Sequence, residues 1–195
     1  MNLNNSKYSS DQLKLMSDEE LIQGCIKGKD AFQYELYKRY SPKMFGVCLR
    51  YCASREEAED VLQDGFIKVF KKIDSFRFIG SFEGWIRRIM VHTAIRNKYI
   101  TLRAHEVNTL EGVEHPALDE KVTSKLMMMD LMKLVNELPQ GYKIVFNLFA
   151  VEGYSHKEIA EMLEIQEATS RSQYLRARQF LREKLDKLQK NEFRI

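Results

Sequence analysis

Hydrophobic residues recur every three or four positions in separate runs along the chain, which is the period of one face of an α-helix. The clearest run follows Ser54 and consists of Ala58, Val61, Leu62, Phe66, Val69 and Ile73. A serine with a glutamate three positions later, the capping-box pattern of a helix start, occurs at Ser17, Ser54 and Ser155. These patterns predict an all-α protein.

The N-terminal half is predicted to contain four helices. Their expected starts lie at Ser17, Asp30, Ser54 and Ser81. Pro42 and Gly46 are candidate break points in the second helix, because proline lacks the backbone donor that an inner helical turn uses. Between the third and fourth helices, residues 74–80 form a loop that contains two phenylalanines.

The C-terminal half shows a different order of elements. A helix is predicted after Pro139 and ends before Gly153. A short helix opened by Ser155 follows, then a turn at residues 164–167 and a long helix. The apolar stripe expected on that long helix is Ala177, Leu181, Leu185 and Leu188. A short helix, a tight turn and a long helix are the order of a helix-turn-helix.

The chain of 195 residues has 31 lysines and arginines against 28 aspartates and glutamates, a net charge of +3, but these charges are unevenly distributed. Residues 17–103 are basic overall, and so is the long C-terminal helix. Residues 104–124 carry five acids and one base, lack strong apolar periodicity, and contain Gly112 and Pro116. This segment is interpreted as a flexible acidic linker between two small helical domains.

Composition narrows the class of protein. With 44% hydrophobic and 30% charged residues, the chain has the balance of a globular protein. Nine glycines and three prolines are too few for the frequent turns of a β-sandwich or barrel. No run approaches the roughly 18 uncharged apolar residues of a membrane span, and the N-terminus is too polar for a signal peptide. We therefore expect a cytoplasmic protein without membrane insertion.

Signatures of enzymes and metal sites are also missing. The sequence contains no GxxxxGK[ST], HExxH or GxSxG motif, and its four histidines are scattered, so we expect no enzymatic activity and no cofactor. Cys48 and Cys52 are four residues apart and could share a metal ion, but no histidine or third cysteine is near them in sequence. An odd number of cysteines does not make a disulfide framework. Reduced core thiols and no metal site are the expectation.

Two parts of the sequence resemble regions of one family. Arg55-Glu-Glu-Ala-Glu-Asp-Val-Leu-Gln-Asp-Gly-Phe-Ile-Lys-Val-Phe70, followed by Phe82-Glu-Gly-Trp-Ile-Arg-Arg-Ile89, resembles conserved region two of bacterial sigma factors. Region four is resembled by a second set, which consists of Leu138-Pro139, Val145-Phe146, Glu152-Gly-Tyr-Ser155, Glu158-Ile-Ala-Glu161, Ser172 and Arg176-Ala-Arg178. With only these regions and a short linker, the chain is similar to the extracytoplasmic-function group of the sigma-70 family.

The resemblance implies four segments. They are an N-terminal tail at 1–16, region two at 17–103, the acidic linker at 104–124 and the helix-turn-helix of region four at 125–190. Region two would bind core RNA polymerase and the minus-ten promoter element, and region four would bind the minus-thirty-five element. For the linker, two interpretations stay open: a solubilising tether, or a strand that threads the polymerase channels and imitates nucleic acid.

Asp60, Gln63 and Asp64 share the edge of the third helix that lies opposite its apolar stripe. Taken alone, this edge is a solvated helix face. The resemblance implies that it docks on the clamp helices of the polymerase largest subunit. Carboxylates matched to basic side chains would then steer association and set its register.

Recognition of the minus-ten element is placed by the resemblance in the aromatic loop and the fourth helix. The candidate residues are Phe76, Arg77, Phe78, Arg87, Arg88, His92 and Arg96. Exposed rings stack on unpaired bases and nearby cations hold phosphates, so Phe76 and Phe78 are expected to contact DNA. Phe82 and Trp85 lie on the apolar side of their helix and are expected in the core.

For the minus-thirty-five element, the start of the long C-terminal helix supplies the candidates. They are Thr169, Arg171, Ser172, Gln173, Arg176 and Arg178. In the major groove arginine binds guanine and glutamine binds adenine, which distinguishes base pairs. For Arg178, with Arg182 and Lys184, a phosphate contact and a merely solvated surface are both open.

The implied function is that of a sigma factor, which binds core RNA polymerase, recognises duplex promoter DNA, and helps to melt it so that transcription of a specific gene set begins. An anti-sigma partner is implied by the resemblance alone. The alternative is a conventional helix-turn-helix regulator that binds an operator without joining polymerase. The acidic edge and the aromatic loop would have no use in such a regulator.

Overall fold

A computed structural model describes the backbone of residues 8–105 and 132–192, and the side chains of residues 8–96 and 132–186. All regular structure in these ranges is helical, which confirms the all-α prediction. The chain divides into two compact units, Met1–Thr109 and Leu110–Ile195. Most of the predicted linker, residues 106–124, lies outside the described residues.

Five α-helices and one 3₁₀ turn make up the described part of the N-terminal unit. They are α1 (Ser10–Leu15), α2 (Asp18–Ile26), α3 (Asp30–Leu49), α4 (Arg55–Lys72), the turn Ile73–Ser75 and α5 (Phe82–His105). α3, α4 and α5 pack against one another, and α2 packs on α3. Their shared core is made of aliphatic, aromatic and sulfur-containing side chains, and its deeply buried members include Leu21, Leu36, Met44, Val61, Val69, Ile86 and Met90.

The helix starts follow the serine pattern of the sequence with one deviation. Ser17 forms the predicted capping box, because its hydroxyl accepts from the Glu20 backbone and the Glu20 carboxylate accepts from the backbone of Ser17. Ser54 caps α4, but the Glu57 carboxylate accepts from the backbone N–H of Ala53 at 2.6 Å. Only half of the predicted box at Ser54 is therefore formed.

The N-terminal segment and α3 differ from the sequence-based expectations. Residues Ser10–Leu15 of the predicted tail form α1, with Leu13 buried. α3 runs without a break through Pro42 and Gly46, so the candidate break points are wrong. Met44, Val47 and Cys48, which follow Pro42, are buried, as are residues of α3 before it, and this packing outweighs the one hydrogen bond that proline removes.

Arg39 on α3 holds the two N-terminal helices in place. Its guanidinium donates to the Asp18 carboxylate at 2.8 Å and to the main-chain carbonyls of Lys14 and Met16 at 3.3 and 3.0 Å. The Tyr40 hydroxyl donates to the same carboxylate. The planar guanidinium of Arg39 thus donates to acceptors at the end of α1, between α1 and α2, and at the start of α2.

All three cysteines of the chain are buried and free, as predicted for core thiols. Burial raises the pKa of the Cys25 and Cys48 thiols to about 12. Both groups therefore stay protonated at neutral pH and behave as small apolar core residues rather than as nucleophiles.

The described part of the C-terminal unit begins with a helical segment at residues 132–136. It continues with α6 (Gln140–Phe146), a single π-helical turn (Asn147–Val151), α7 (His156–Leu163) and α8 (Glu167–Glu192). Leu134, Val135 and Leu138 pack against Ala177 and Leu181 of α8. The predicted capping box at Ser155 is present, and a left-handed residue, Glu164, follows α7 at φ 50°.

One predicted core residue of α8 is not in the core. Ala177 and Leu181 are buried as expected, but Leu185 is 40% exposed. The buried cluster formed by Leu134, Val135 and Leu138 reaches α8 at Ala177 and Leu181. The apolar stripe of α8 therefore extends one turn further than this cluster covers. The side chain of Leu188 lies outside the described residues.

Candidate partner and nucleic-acid interfaces

The acidic edge of α4 is exposed and its side chains point together. Val61, Leu62 and Phe66 turn inward, which leaves Asp60, Gln63 and Asp64 on the opposite side. Among the described residues, no hydrogen bond or ion pair engages these three side chains, whereas Glu59, the residue before Asp60, is paired with Arg55 at 2.9 Å. The edge is thus available to a partner that carries positive charge.

An exposed aliphatic residue extends this acidic edge, and sequence reasoning missed it. Ile67 is 51% exposed and follows Asp60 and Asp64 by seven and three positions, so it lies on the same side of α4. The available signal was its position: Ile67 does not belong to the inward stripe of α4 although it is hydrophobic. A surface with carboxylates around an aliphatic side chain is typical of a protein interface with a polar rim.

A shallow recess adjoins the acidic edge. It lies between α3 and α4, has a volume of about 360 Å³, and is bordered by Gln63, Pro42 and Phe45. The Arg55 guanidinium sits 4.9 Å from the centre of the Phe45 ring and pairs with Glu59 at the rim. The recess gives a partner side chain a place to insert beside the carboxylates.

The aromatic loop between α4 and α5 is built on a cluster of four rings. Phe76 lies 5.0 Å from Phe82 and 5.5 Å from Trp85 between ring centroids, and Phe82 and Trp85 are stacked. Ser81 ends the loop by accepting a hydrogen bond from the backbone of Gly84 at 3.0 Å. The loop therefore begins at a packed aromatic cluster and ends at the capped start of α5.

The two phenylalanines predicted to contact DNA differ in exposure. Phe76 is only 8% exposed and forms the base of the loop, so the geometry favours Phe78 over Phe76 as the ring that meets a base. Phe78 is 46% exposed, and Arg77 beside it is also exposed. Phe82 is buried as expected, and Trp85 is half-buried.

Along α5, the predicted basic residues form an outward-facing line. Arg88, His92 and Arg96 are exposed and follow one another at intervals of four residues, one turn apart. Arg87 is half-buried and pairs with Glu83 at 3.7 Å. Desolvation of the imidazole by neighbouring groups, followed by the charge of Arg88, lowers the pKa of His92, so its imidazole is neutral at pH 7. The positive charge of this line comes from its arginines.

On α8, the predicted residues divide between two environments. Arg171, Ser172, Arg176 and Arg178 are exposed. Thr169 and Gln173 are half-buried, and the Gln173 amide lies beside Gly141 of α6. The geometry thus favours the arginines and Ser172 over Thr169 and Gln173 as outward contacts.

The exposed arginines of α8 are held by local partners. Arg171 pairs with Glu167, Arg176 donates to the Tyr142 hydroxyl at 3.4 Å, and the Arg178 guanidinium lies 5.9 Å from the centre of the Tyr174 ring. These contacts are weak surface interactions, which a phosphate or a guanine edge can replace.

His156 joins α7 to the first turn of α8. Its Nδ1 lies 2.9 Å from Oγ of the fully buried Ser170, and its ring stacks on Phe149 at 4.3 Å. The Tyr174 ring is 5.7 Å away. The pKa of His156 is lowered by burial and then by Arg171, so a neutral ring bridges the two helices at pH 7.

Sequence reasoning also missed Leu175. This side chain is 64% exposed on α8, three positions before Arg178 and four after Arg171. The sequence could have indicated it, because Leu175 is an aliphatic residue outside the buried stripe of a basic helix. An exposed leucine among arginines on such a helix is suited to contact the methyl group of thymine.

Among the described side chains, no cluster of three or more His, Cys, Asp or Glu is arranged to hold a metal ion. In the same part of the chain, no helix combines the length and the apolar character that crossing a bilayer requires.

Comparison with known proteins gives matches over both units. Residues 36–103 match the family Sigma-70 region 2, and residues 128–181 match Sigma-70, region 4. The ECF RNA polymerase sigma-E factor of Haemophilus influenzae is 32% identical over 190 residues, covering 89% of this chain and 97% of the relative. The RNA polymerase sigma-H factor of Pseudomonas aeruginosa is 27% identical, covering 88% of this chain and 95% of the relative.

A solved structure of CnrH in complex with the cytosolic domain of CnrY is 22% identical in sequence and covers 87% of this chain and 97% of that chain, with a TM-score of 0.48.

Proposed function

This chain belongs to the extracytoplasmic-function group of the sigma-70 family, and from that premise we propose how its two units share the work of a sigma factor. The chain is a polymerase-associated sigma factor and not a stand-alone regulator. Sigma factors are initiation factors, and we propose that this one has no enzymatic activity of its own and acts inside the cell on core RNA polymerase and promoter DNA.

In the N-terminal unit, α4 docks on core polymerase. The support is an exposed edge formed by Asp60, Gln63 and Asp64, whose side chains make no hydrogen bond or ion pair with any described residue. The exposed aliphatic Ile67 and the recess bordered by Gln63 adjoin this edge. Carboxylates at the rim would steer and orient a basic polymerase surface, while burial of Ile67 would supply affinity.

The loop and α5 of the same unit bind the minus-ten element. Arg77 and Phe78 are exposed on the loop, and Arg88, His92 and Arg96 are exposed on α5. An aromatic platform bordered by cations is the arrangement that captures unpaired bases. The role assigned to Phe76 is to support this platform from below.

In the C-terminal unit, α8 enters the major groove of the minus-thirty-five element. Arg171, Ser172 and Arg176 are exposed near its N-terminal end, which is where recognition helices meet base edges. Leu175 adds an apolar contact on the same side, and Arg178 is assigned to phosphate.

The observation that carries this proposal is the presence, in one small unit, of an exposed acidic edge and an exposed aromatic and basic loop on different elements. A protein that only binds DNA has no use for the acidic edge, which would repel phosphate. A protein that couples DNA to a basic partner needs both.

The direct test is transcription in vitro from genomic fragments of the source organism with core polymerase, with and without the chain. New transcripts that depend on the chain are expected. Binding of the chain to DNA with no added transcript and no association with core would contradict the proposal.

Charge reversal tests the docking surface. Asp60→Lys combined with Asp64→Lys should abolish association with core polymerase and leave the helicity unchanged, because both side chains are exposed and make no described contact. The matched control is Glu19→Lys with Glu161→Lys, which makes the same change in net charge at exposed sites on other helices, α2 and α7. Equal pull-down of core by the wild-type chain and the Asp60/Asp64 variant would refute the assignment.

We also propose an anti-sigma partner that sequesters the chain until a signal arrives. Its support is the family membership. A pull-down from the source organism in the absence of stress, followed by identification of a small protein that blocks transcription in the assay above, would test it.

A further inference from the structure

The basic helix α5 carries one acid in its sequence. Glu83 is the only aspartate or glutamate among residues 82–105, whose other formally charged side chains all belong to lysine and arginine. It lies in the first turn of the helix, where the helix dipole favours a negative charge. The dipole accounts for an acid at this position, and the partners of the carboxylate indicate a further role.

Two cations share the carboxylate of Glu83. Nζ of Lys43, on α3, lies 2.7 Å from Oε2, and Nη2 of Arg87, one turn further along α5, lies 3.7 Å from Oε1. The side chain of Lys43 is 64% exposed and that of Glu83 is 32% exposed, so solvent reaches this ion-pair array. One anion thus brings together cations from two helices.

The contact between α3 and α5 fixes the backbone on both sides of the array. The Tyr40 ring, three positions before Lys43, packs edge-on against the Phe82 ring at 5.6 Å between centroids. Phe82 directly precedes Glu83, and both aromatic residues are buried. Lys43 and Glu83 therefore meet across a packed helix contact, and their pairing follows from the fold of the unit.

The geometry of the array suits an anion that offers two oxygens. An ammonium and a guanidinium group that converge on the two oxygens of a carboxylate can converge in the same way on two oxygens of a phosphate. Surface ion pairs are weak, so a phosphate can displace the carboxylate once other contacts hold the DNA nearby. Arg87 belongs to the predicted contacts of the minus-ten element, whereas Lys43 lies outside that set.

The surroundings of the array favour nucleic acid over an acidic protein surface. Arg88 follows Arg87 directly and begins the outward-facing basic line of α5. Among the described side chains, none of the exposed large hydrophobic residues lies on this helix. A protein interface has an apolar centre, whereas a succession of cations matches the phosphates of a DNA strand.

We propose that Lys43 and Arg87 form a binding site for a backbone phosphate of promoter DNA, and that the carboxylate of Glu83 is an intramolecular competitor for this site. The inference rests on the proposed function, because it assumes that α5 faces DNA. It assigns a DNA contact to α3. It also makes Glu83 a residue that lowers the affinity for DNA, since a complex forms only after the carboxylate has released both cations.

The test uses holoenzyme reconstituted from core polymerase and the full chain, with two duplexes: a promoter that the wild-type holoenzyme transcribes and a promoter-free fragment of equal length. Affinity is measured at several salt concentrations. Glu83→Gln keeps the size of the side chain and removes its charge, so both duplexes should bind about three- to tenfold more tightly. The slope of log affinity against log salt should steepen by about one, because one more phosphate is neutralised.

Asp11→Asn is the matched control. Asp11 also lies in the first turn of a helix, α1, and pairs with a lysine, Lys14, at 2.8 Å. Its substitution makes the same change in net charge and should alter affinity and slope far less. A Glu83→Gln holoenzyme with wild-type affinity, or with a gain no larger than that of Asp11→Asn, overturns the competition.

A second variant separates competition from simple repulsion. Lys43→Gln alone should weaken binding to both duplexes, and in its presence the gain from Glu83→Gln should shrink, because one cation of the site is missing. If the carboxylate only repels DNA, the two changes combine independently, and that result overturns the shared site. A gain confined to the promoter duplex overturns it as well, because phosphate contacts carry no direct base information.

Thermal unfolding and association with core polymerase are measured for each variant. A purely structural role of Glu83 would change the unfolding temperature and leave the salt slope at its wild-type value, which overturns the proposal. Conversely, a steeper slope with unchanged association with core supports it, because the effect then arises at the DNA.

Failure of the proposed function is distinguishable from failure of this inference. If the wild-type chain yields no transcript with core polymerase, the proposed function fails and the phosphate site falls with it. If the wild-type chain is active and Glu83→Gln matches it in affinity and salt slope, the inference alone fails.

Discussion

At the scale of single residues, two helical glycines of the N-terminal unit differ in what surrounds them. A β-carbon at Gly65 on α4 would stand 2.1 Å from the sulfur of Met90 on α5, whereas one at Gly46 on α3 would meet no atom within 4 Å. Gly65 is thus the point where two helices approach closely. Gly46 is exposed and carries only the conformational cost of glycine in a helix.

Alanine substitution should therefore have opposite effects at the two sites. Gly65→Ala is expected to destabilise the protein by about 1–3 kcal/mol, because the buried Met90 must move in a packed core. Gly46→Ala is expected to stabilise it by about 0.5–1 kcal/mol. Denaturant unfolding followed by the fluorescence of Trp85 measures both. Similar effects of the two substitutions would contradict the close approach of α4 and α5.

A second residue-scale prediction concerns His156 and pH. Burial and the nearby Arg171 lower its pKa, so the unfolded chain takes up the proton at a higher pH than the folded one. The stabilisation from the neutral ring is then complete above about pH 6.5 and is lost as the pH falls from there to the lowered folded value.

Titration of the His156 ring by NMR in the full chain should show a midpoint below 6.5. Arg171→Gln should raise this midpoint, since it removes a repelling cation; Arg182→Gln on the same helix is the control and should leave it unchanged. A midpoint at or above 6.5 in the wild-type chain would contradict the arrangement.

Sequence reasoning at this scale found residue types better than it found their environments. It placed Asp60 and Arg171 on exposed surfaces as the structure does. It assigned Phe76 to DNA because aromatic residues in a loop look exposed, and it could not see that Phe82 and Trp85 close over that ring. It did not predict the left-handed backbone of Phe78, which no local pattern indicates.

At the scale of elements, α8 carries a testable division of labour. Its exposed side contains arginines and the aliphatic Leu175, and its buried side contains Ala177 and Leu181. Contacts to base edges and contacts to phosphate have different signatures, because only the first depend on the DNA sequence.

Arg171→Ala and Arg176→Ala should each weaken binding to the cognate minus-thirty-five element more than binding to altered elements, by about 1–3 kcal/mol of discrimination. Arg178→Ala should weaken binding uniformly and reduce its salt dependence. Measurement of holoenzyme affinity for a panel of single-base promoter variants at two salt concentrations separates the cases. Uniform loss for all three variants would mean that none of them reads a base.

Elements were predicted well where capping and periodicity agreed. Ser17 and Ser155 mark their helices as expected. The break at Pro42 was wrong because tertiary packing on both sides of a proline can carry a helix through it, and such packing is invisible in a local pattern. α1 was missed because it has one buried side chain, Leu13, and depends on Arg39 from a distant part of the chain.

At the scale of the whole molecule, charge is arranged by segment. The net charge is only +3, because the acids of residues 104–124 offset the basic residues on either side. Affinity for DNA follows local contacts and local charge more than the total, so removing the acids of this segment tests whether their location matters.

The variant replaces Glu106, Glu111, Glu114, Asp119 and Glu120 by their amides. A control variant makes the same change at five exposed acids elsewhere, namely Asp11, Glu19, Asp30, Glu161 and Glu164. Both should bind non-promoter duplex more tightly than the wild-type chain. Only the first should alter transcript yield from a cognate promoter, if the acidic segment acts inside polymerase. Equal transcription by all three chains would favour a simple tether.

The overall plan of the molecule was the most predictable level. Two helical units of different pattern, with a helix-turn-helix in the second, follow from periodicity and turn residues, and the structure shows both. The two units were accessible because each is specified by local sequence. The partners were accessible only through family membership, since the acidic edge by itself is indistinguishable from a solvated helix face.

The burial of all three sulfhydryl groups has a practical consequence. Since Cys25, Cys48 and Cys52 are enclosed in one helical bundle, a cysteine placed at a surface position can be coupled to a maleimide dye in the natural background, without first deleting the native ones. The rate at which the native thiols react later in the same sample then reports how often the bundle opens transiently.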